Sequence, residues 1–367
     1  MVALGTDSMT NRERIFAALR GEETDRLPVW LKMANSTWQA GQPEPWRSMK
    51  TGALLRAAGC DLMVPLVVRP IPETPHVTRR VEEENGTRQT IFETPDGTLT
   101  SEERFDPSTK SVHPTKYPAE TPEDLGKLRW LYTDTTYRMD AAALAEAARI
   151  QEACEAEDAV TISGAPPSPL MDLVEHMCGP VATVYLMTDV PELFCEIVSL
   201  MHADRMRHLA ARLAAEPADM FWLTENTSTT LISPAMFEEF CAPHLKAYGE
   251  LILEHDMIPV HHMCGSLNAL LEMIDVLPAM ANEAYTTRPL GDVSLAEGRR
   301  RMPSKTLIGG TNATLWLEPV EGIVEAVAAD LAACPDRRKI FLTSAGVLPP
   351  PVSFEKARQA VEAFKSL

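Results

Sequence analysis

A chain of 367 residues that is 45% apolar can bury a large core, and it is longer than a usual single domain unless that domain is a barrel. Its net charge of −18 argues against nucleic acid or an anionic membrane as partner. With no run of eighteen apolar residues, no signal-peptide-like segment in MVALGTDSMTNRER, and seven scattered cysteines, the expectation is a soluble, cytoplasmic protein with reduced thiols.

Residues 10–19 begin with a cap, Thr10 or Asn11, and carry Ile15, Phe16 and Leu19 on one face, so they predict a short helix before the first strand. That strand is residues 27–33, and a second apolar run covers 62–68. Between 79 and 105 the turn signals ENG and PDG separate short β-like segments, the pattern of an antiparallel meander. A proline-containing linker at 113–122 and helical stretches over 122–157 follow.

Six further strands are predicted at 159–164, 220–224, 258–263, 279–285, 306–310 and 340–344. Helical patterns separate them at 191–215, 234–255 and 320–333, and another closes the chain at 354–364. Eight continuously apolar strands alternating with helices predict an α/β fold, a (β/α)8 barrel of parallel strands buried on both faces. The whole chain, 1–367, reads as a single barrel domain with the meander inserted as a lid at 75–120. A doubly wound open sheet is the alternative, but no GxGxxG opens a helix.

In a barrel, active residues sit at the C-terminal ends of the strands. Those ends supply Lys32 and Asn35, Arg69, Ser163, Glu225 and Asn226, His262 and Cys264, Glu283 and Tyr285, Thr311 and Asn312, and Ser344. The segment MIPVHHMCGSL carries the sharpest signal, because alternation along a strand puts His262 and Cys264 on one side and His261 and Met263 on the other. One imidazole and one thiolate make half a zinc site, and Glu225, one strand earlier, is the candidate third ligand. Glu225 and Asn226 are the catalytic candidates; Trp30, Asn35, Tyr285 and Asn312 are the substrate-binding candidates. Trp30, Trp38, Trp46 and Phe92 are candidates to line an apolar pocket for an aromatic or quaternary-amine substrate, set against an ordinary core role.

The blander readings concern the other histidines and turns. His202, His208, His244 and His255 read as surface or capping groups; His176 and Cys178 repeat the HxC spacing in a helical context, where they point apart. Gly309 and Gly310 offer backbone amides to an anion, and Asp292 a cap for a helix starting near Ser294.

Six motifs, RERIFAALRGEETDRLPV, LISPAMFEEFCAPHLK, VHHMCG, PLGDVSL, LIGGTN and SAGVLPPPV, together resemble the uroporphyrinogen decarboxylase superfamily over residues 12–352. The resemblance implies a (β/α)8 barrel and either decarboxylation or zinc- and cobamide-dependent methyl transfer. Departures favour the second. LKMANS stands where decarboxylases carry an arginine-rich segment for the substrate's carboxylates, Ala345 replaces a histidine of the last strand, and the tyrosine expected after the third strand is missing from SGAPPSPL.

The methyltransferase branch is similar in its HxCG, matched by His262, Cys264 and Gly265, and the TRQTIFETPDGTL segment resembles the inserted sheet of members that demethylate methoxylated or methylated small molecules. Thiol-methylating members place a second cysteine where this chain has Ala345. The resemblance therefore implies zinc and a corrinoid (cobalamin) on a partner protein. Methyl would pass between that cobalt and a small O- or N-methylated substrate, or a folate or thiol acceptor; a homodimer is left open. The alternatives are a decarboxylase and a barrel that has lost catalysis and serves as a binding protein.

Overall fold

The computed structural model describes residues 7–35, 37–107 and 111–367; residues 1–6 of the expected domain and 108–110 of the expected insertion lie outside the described residues. Along the chain, β1 (Val29–Lys32) and β2 (Met63–Pro65) precede β3 (Ile71–Glu73), β4 (Thr78–Glu84), β5 (Thr87–Thr94), β6 (Gly97–Asp106), β7 (Ser111–Lys116) and β8 (Thr136–Arg138). Then come β9 (Val160–Ala165), β10 (Met220–Thr224), β11 (Ile258–His262), β12 (Ala281–Tyr285), β13 (Thr306–Gly309) and β14 (Ile340–Val347). β1, β2 and β9 to β14 form one parallel sheet, ordered β1-β14-β13-β12-β11-β10-β9-β2, that curls into a barrel inside a layer of helices. These are the eight predicted strands. Their continuous apolarity has the expected cause: Val29 and Leu31, or Phe221 and Leu223, are fully buried on one face while Met220, Ile308 and Phe341 are fully buried on the other.

The ends of the sheet, β1 and β2, meet across Asp61. Its backbone N–H donates to the Val29 carbonyl at 2.7 Å, and its carboxylate accepts from the Val29 N–H at 2.7 Å. Trp30 adds a bond from Nε1 to the Met63 carbonyl at 3.2 Å. The buried Asp61 carboxylate is paired at 2.8 Å with both Arg14 and Arg26, and Arg14 also binds Asp25 at 2.6 Å.

Arg14 belongs to the predicted first helix, Asn11–Arg20, which Thr10 and Glu13 start with a capping box. This helix crosses the N-terminal end of the barrel. Asn11 reaches the Leu62 carbonyl, Arg12 pairs with Asp219 at 2.6 Å, and Thr306 Oγ1 donates to the Ala18 carbonyl at 3.1 Å. Among the described residues no helix is long and apolar enough to cross a membrane.

The insertion is a four-stranded antiparallel sheet, β4-β5-β6-β7, with turns at Asn85-Gly86 and Pro95-Asp96; Asn85, Gly86 and Gly97 have positive φ. Ile91 and Leu99 are buried, Leu99 as part of the main core, while β4 is exposed along its length. The predicted linker is partly strand. Pro114 lies in β7, at the edge of the sheet, where a missing N–H costs no ladder bond. β3 pairs antiparallel with β8 and clasps the insertion's base, a pairing the sequence did not suggest. The helical stretch expected over 234–255 breaks at Cys241 into Pro234–Phe240 and Ala242–Glu254.

The seam predicts its own weak point. Asp61→Ala takes one partner from Arg14 and Arg26, which keep Asp25 and Asp7, and leaves the buried Val29 N–H without this acceptor, a loss of about 1–3 kcal/mol. Urea denaturation of the variant measures it, and a loss below about 1 kcal/mol would show that the barrel closes without this carboxylate.

Candidate active site at the barrel mouth

Register places the side chains. On β10 and β11, Trp222 lies beside Val260 and Thr224 beside His262; on β12, Glu283 lies beside His262. Residues so paired share a face, here the inside of the barrel. Lys32 reaches the same point from β1. Its Nζ is 2.7 Å from Glu283 Oε1 and 3.3 Å from His262 Nδ1, and 5.6 Å above the Trp222 ring. His262 Nδ1 faces the other oxygen of Glu283, and the Cys264 thiol adjoins the imidazole.

Glu283 has no solvent exposure. Burial alone would push its pKa up, but the charges of Lys32 and His262 outweigh burial and hold it below the ordinary carboxylate value. For His262 burial acts against charge, and Glu283 overcomes it to raise the imidazole's pKa. With Nδ1 donating to Glu283, Nε2 is left for another partner, the orientation that carboxylates give to metal-binding histidines.

The backbone is strained around this group. Asn226 (φ 49°), Ala284 (φ 60°) and Ala345 (φ 56°) are left-handed non-glycine residues at the exits of β10, β12 and β14. At Ala284 the register with β13 slips between Glu283 and Tyr285. Such strain collects at functional sites.

Glu225, the expected third ligand, has no solvent exposure and is held by other partners. Its carboxyl accepts from the Ser168 N–H at 2.7 Å and Oγ–H at 2.6 Å, and lies against the Cys241 thiol. Asn226 does reach the site: its Oδ1 lies 3.6 Å from Cys264 Sγ, and its Nδ2 donates to Glu175 at 2.9 Å. Glu175 is the acid that the sequence reading missed. It sits in a π-helical turn, Leu173–Met177, and its Oε1 is buried with no hydrogen-bond partner among the described residues. A π-turn is a recurrent mark of functional positions, but nothing in the local sequence announces one.

The substrate-binding candidates divide. Trp30 and Asn35 line a cavity of about 310 Å3 that ends at Lys32 and includes Ile162, Trp222 and Thr224. Asn35 also holds its own loop, through Oδ1 to the N–H groups of Thr37 and Trp38. Tyr285 is in the core, its hydroxyl donating to the Ser294 carbonyl at 3.1 Å. Asn312 lines a different cavity beside Arg288 and bonds its carbonyl. Trp38 is buried, Trp46 stacks on Phe354, and Phe92 belongs to β5, so none of these three lines the cavity.

The remaining residues take local roles. His176 pairs with Asp172 while Cys178 is buried in the core. His202 and His244 are half-buried with rings 4.6 Å apart. His208 is half-buried too, against Tyr137. Ser294, not Asp292, caps the helix Leu295–Arg301; Asp292 accepts from the N–H groups of Leu267 and Asn268.

Among the described residues no three His, Cys, Asp or Glu side chains already converge as a metal site. The donor chemistry nevertheless fits zinc. A thiol adjoins an imidazole oriented by a carboxylate, and the partnerless carboxylate oxygen of Glu175 stands one amide group away.

The family model for uroporphyrinogen decarboxylase (URO-D) matches residues 105–367. Among solved structures, a methyltransferase from Methanosarcina mazei superposes with a TM-score of 0.63 at 15% identity, over 98% of this chain and 99% of that one. A putative vitamin-B12 independent methionine synthase from Listeria monocytogenes gives a TM-score of 0.36 at 16% identity, over 57% and 64%. Comparison with curated proteins finds no match. At such identities the structural likeness is one of fold.

Glu225 predicts a pH effect on stability. Burial, against the Ser168 hydrogen bonds, raises its pKa from 4.5 to about 7. Between those values the unfolded chain loses the proton and the folded chain keeps it, so this group's contribution to stability declines as pH rises, by about 3 kcal/mol in all. Glu225→Gln should therefore gain on the wild type as pH increases from 4.5 to 7 in paired denaturation curves. A constant difference would mean that the carboxyl is ionised in the folded protein throughout.

Proposed function

The chain belongs to the uroporphyrinogen decarboxylase (URO-D) family, and on that premise we propose that it is a zinc-dependent methyltransferase. It moves a methyl group between a small O- or N-methylated substrate and the cobalt of a corrinoid on a partner protein. One observation carries the reading: the Glu283-oriented His262 beside the Cys264 thiol, linked through Lys32 and Trp222 to a small apolar cavity in the barrel mouth. The methyltransferase fold of the Methanosarcina protein agrees with it.

His262 and Cys264 are the first two zinc ligands, and Glu175 is the third in place of Glu225. Zinc bound there supplies Lewis acidity, which eases departure of an oxygen or nitrogen leaving group. Glu283 fixes the His262 ring, Lys32 compensates Glu283, and the cavity holds the methylated group near the strand ends. Porphyrinogen decarboxylation suits the cavity poorly. About 310 Å3 lies at the low end of small-molecule sites, and among the described residues Lys32 is the only cationic one lining it, where a substrate with many carboxylates needs several.

Two measurements test the proposal. Cys264→Ser should lose most of the bound zinc by plasma emission. Glu175→Gln should bind it roughly 10- to 100-fold more weakly, and Glu225→Gln unchanged; full occupancy in Cys264→Ser would remove that thiol from the site. Mixed with free cob(I)alamin and a panel of methoxyaromatics, methylamines and betaines, the protein should methylate the cobalt, seen in its absorbance. Turnover of a carboxylated tetrapyrrole with no methyl transfer would instead make it a decarboxylase.

A further inference from the structure

We propose that the cavity selects an aromatic methyl ether, neutral or carboxylate-bearing, and rejects quaternary ammonium substrates; this narrows, and rests on, the methyltransferase reading. The walls argue for a ring. Trp30 and Trp222 stand edge to face, 5.8 Å apart and 89° between planes, with Leu55, Met63 and Ile162 completing an apolar slot of about 310 Å3. Flat rings pack against such a corner by offset stacking or edge contact. A slot of that size takes one ring with small substituents.

The end of the slot argues for oxygen and against a cation. A quaternary ammonium is held by open aromatic faces or by carboxylates. Here the Trp222 face already carries the Lys32 ammonium at 5.6 Å. Among the described residues the cavity lining contains no acidic side chain, and Glu283 lies fully buried against Lys32 and His262.

A second cation would meet Lys32 inside a low-dielectric slot, where like charges repel far more strongly than in water. Lys32 also has three N–H donors and no acceptor capacity. Glu283 takes one, and His262 Nδ1 faces Glu283, so the ammonium has donors left for an oxygen of the ligand. An ether or carboxylate oxygen accepts such a bond; a tetraalkylammonium nitrogen has no lone pair to offer.

Binding to the full chain without corrinoid tests this, by quenching of tryptophan fluorescence and by calorimetry. The probes are methoxybenzene, 4-methoxybenzoate, glycine betaine and tetramethylammonium. Both aromatic ethers should bind, 4-methoxybenzoate more tightly, and the two quaternary ammonium probes at least tenfold more weakly. Lys32→Met should remove the preference of 4-methoxybenzoate over methoxybenzene. Trp30→Ala, which leaves the charged group intact, should weaken both ethers about tenfold. Quaternary ammonium binding as tight as ether binding, no ether binding at all, or wild-type preference in a folded Lys32→Met variant would overturn the assignment. Ethers that bind but never methylate cob(I)alamin would sink the methyltransferase reading and spare this one.

Discussion

A carboxylate with no solvent exposure, Glu283, stands on the inner wall of the barrel, and much of the mouth is arranged to make it tolerable. An unpaired charge there would cost several kcal/mol. Lys32 comes from β1 and His262 from β11, so the compensation ties a distant strand and a neighbouring one to the same residue. Strand geometry is adjusted to fit: Ala284 takes a left-handed conformation that costs an L-residue roughly 1–2 kcal/mol, and the ladder to β13 slips at that point. What results is a histidine whose ring is held through Nδ1 by Glu283, next to the Cys264 thiol.

The two ends of the barrel divide the work. At the N-terminal end, charges are spent on closure: Arg14 and Arg26 on Asp61, Arg12 on Asp219, with the first helix laid across the strands. Those pairs satisfy one another. At the C-terminal end the polar groups are incompletely matched. Glu175 has an oxygen with no partner among the described residues. That is the distribution expected of a barrel whose stability and chemistry occupy opposite faces.

The fold was legible because its signal is redundant. Parallel strands buried on both faces give uninterrupted apolar runs, and eight of them alternating with helices leave few architectures. Local exceptions were not legible. Pro114 looks like a linker residue until an edge position removes the demand on its N–H. Side-chain direction at strand exits was the harder problem. Alternation along β11 does separate His261, fully buried, from the half-buried His262. But the partner of His262 depends on register between strands, which one sequence does not contain: Thr224 lies beside it in the ladder, and the Glu225 carboxyl is bonded to Ser168. Glu283 was visible as a strand-end carboxylate without being recognisable as the one that holds the histidine.

Family membership constrains this chain less than its departures do. The same barrel serves different chemistries when the groups at its mouth change. Here a single lysine replaces the arginine-rich stretch expected of a tetrapyrrole site, and that lysine is already committed to Glu283. Its charge therefore cannot be removed or moved without disturbing the histidine. The same ammonium caps the indole of Trp222, so the charge balance that orients His262 also sets the polarity of the slot beside it. Substrate choice and ligand orientation are in this sense one electrostatic arrangement, and a relative that altered Lys32 to accept a cationic substrate would need another way to bury Glu283.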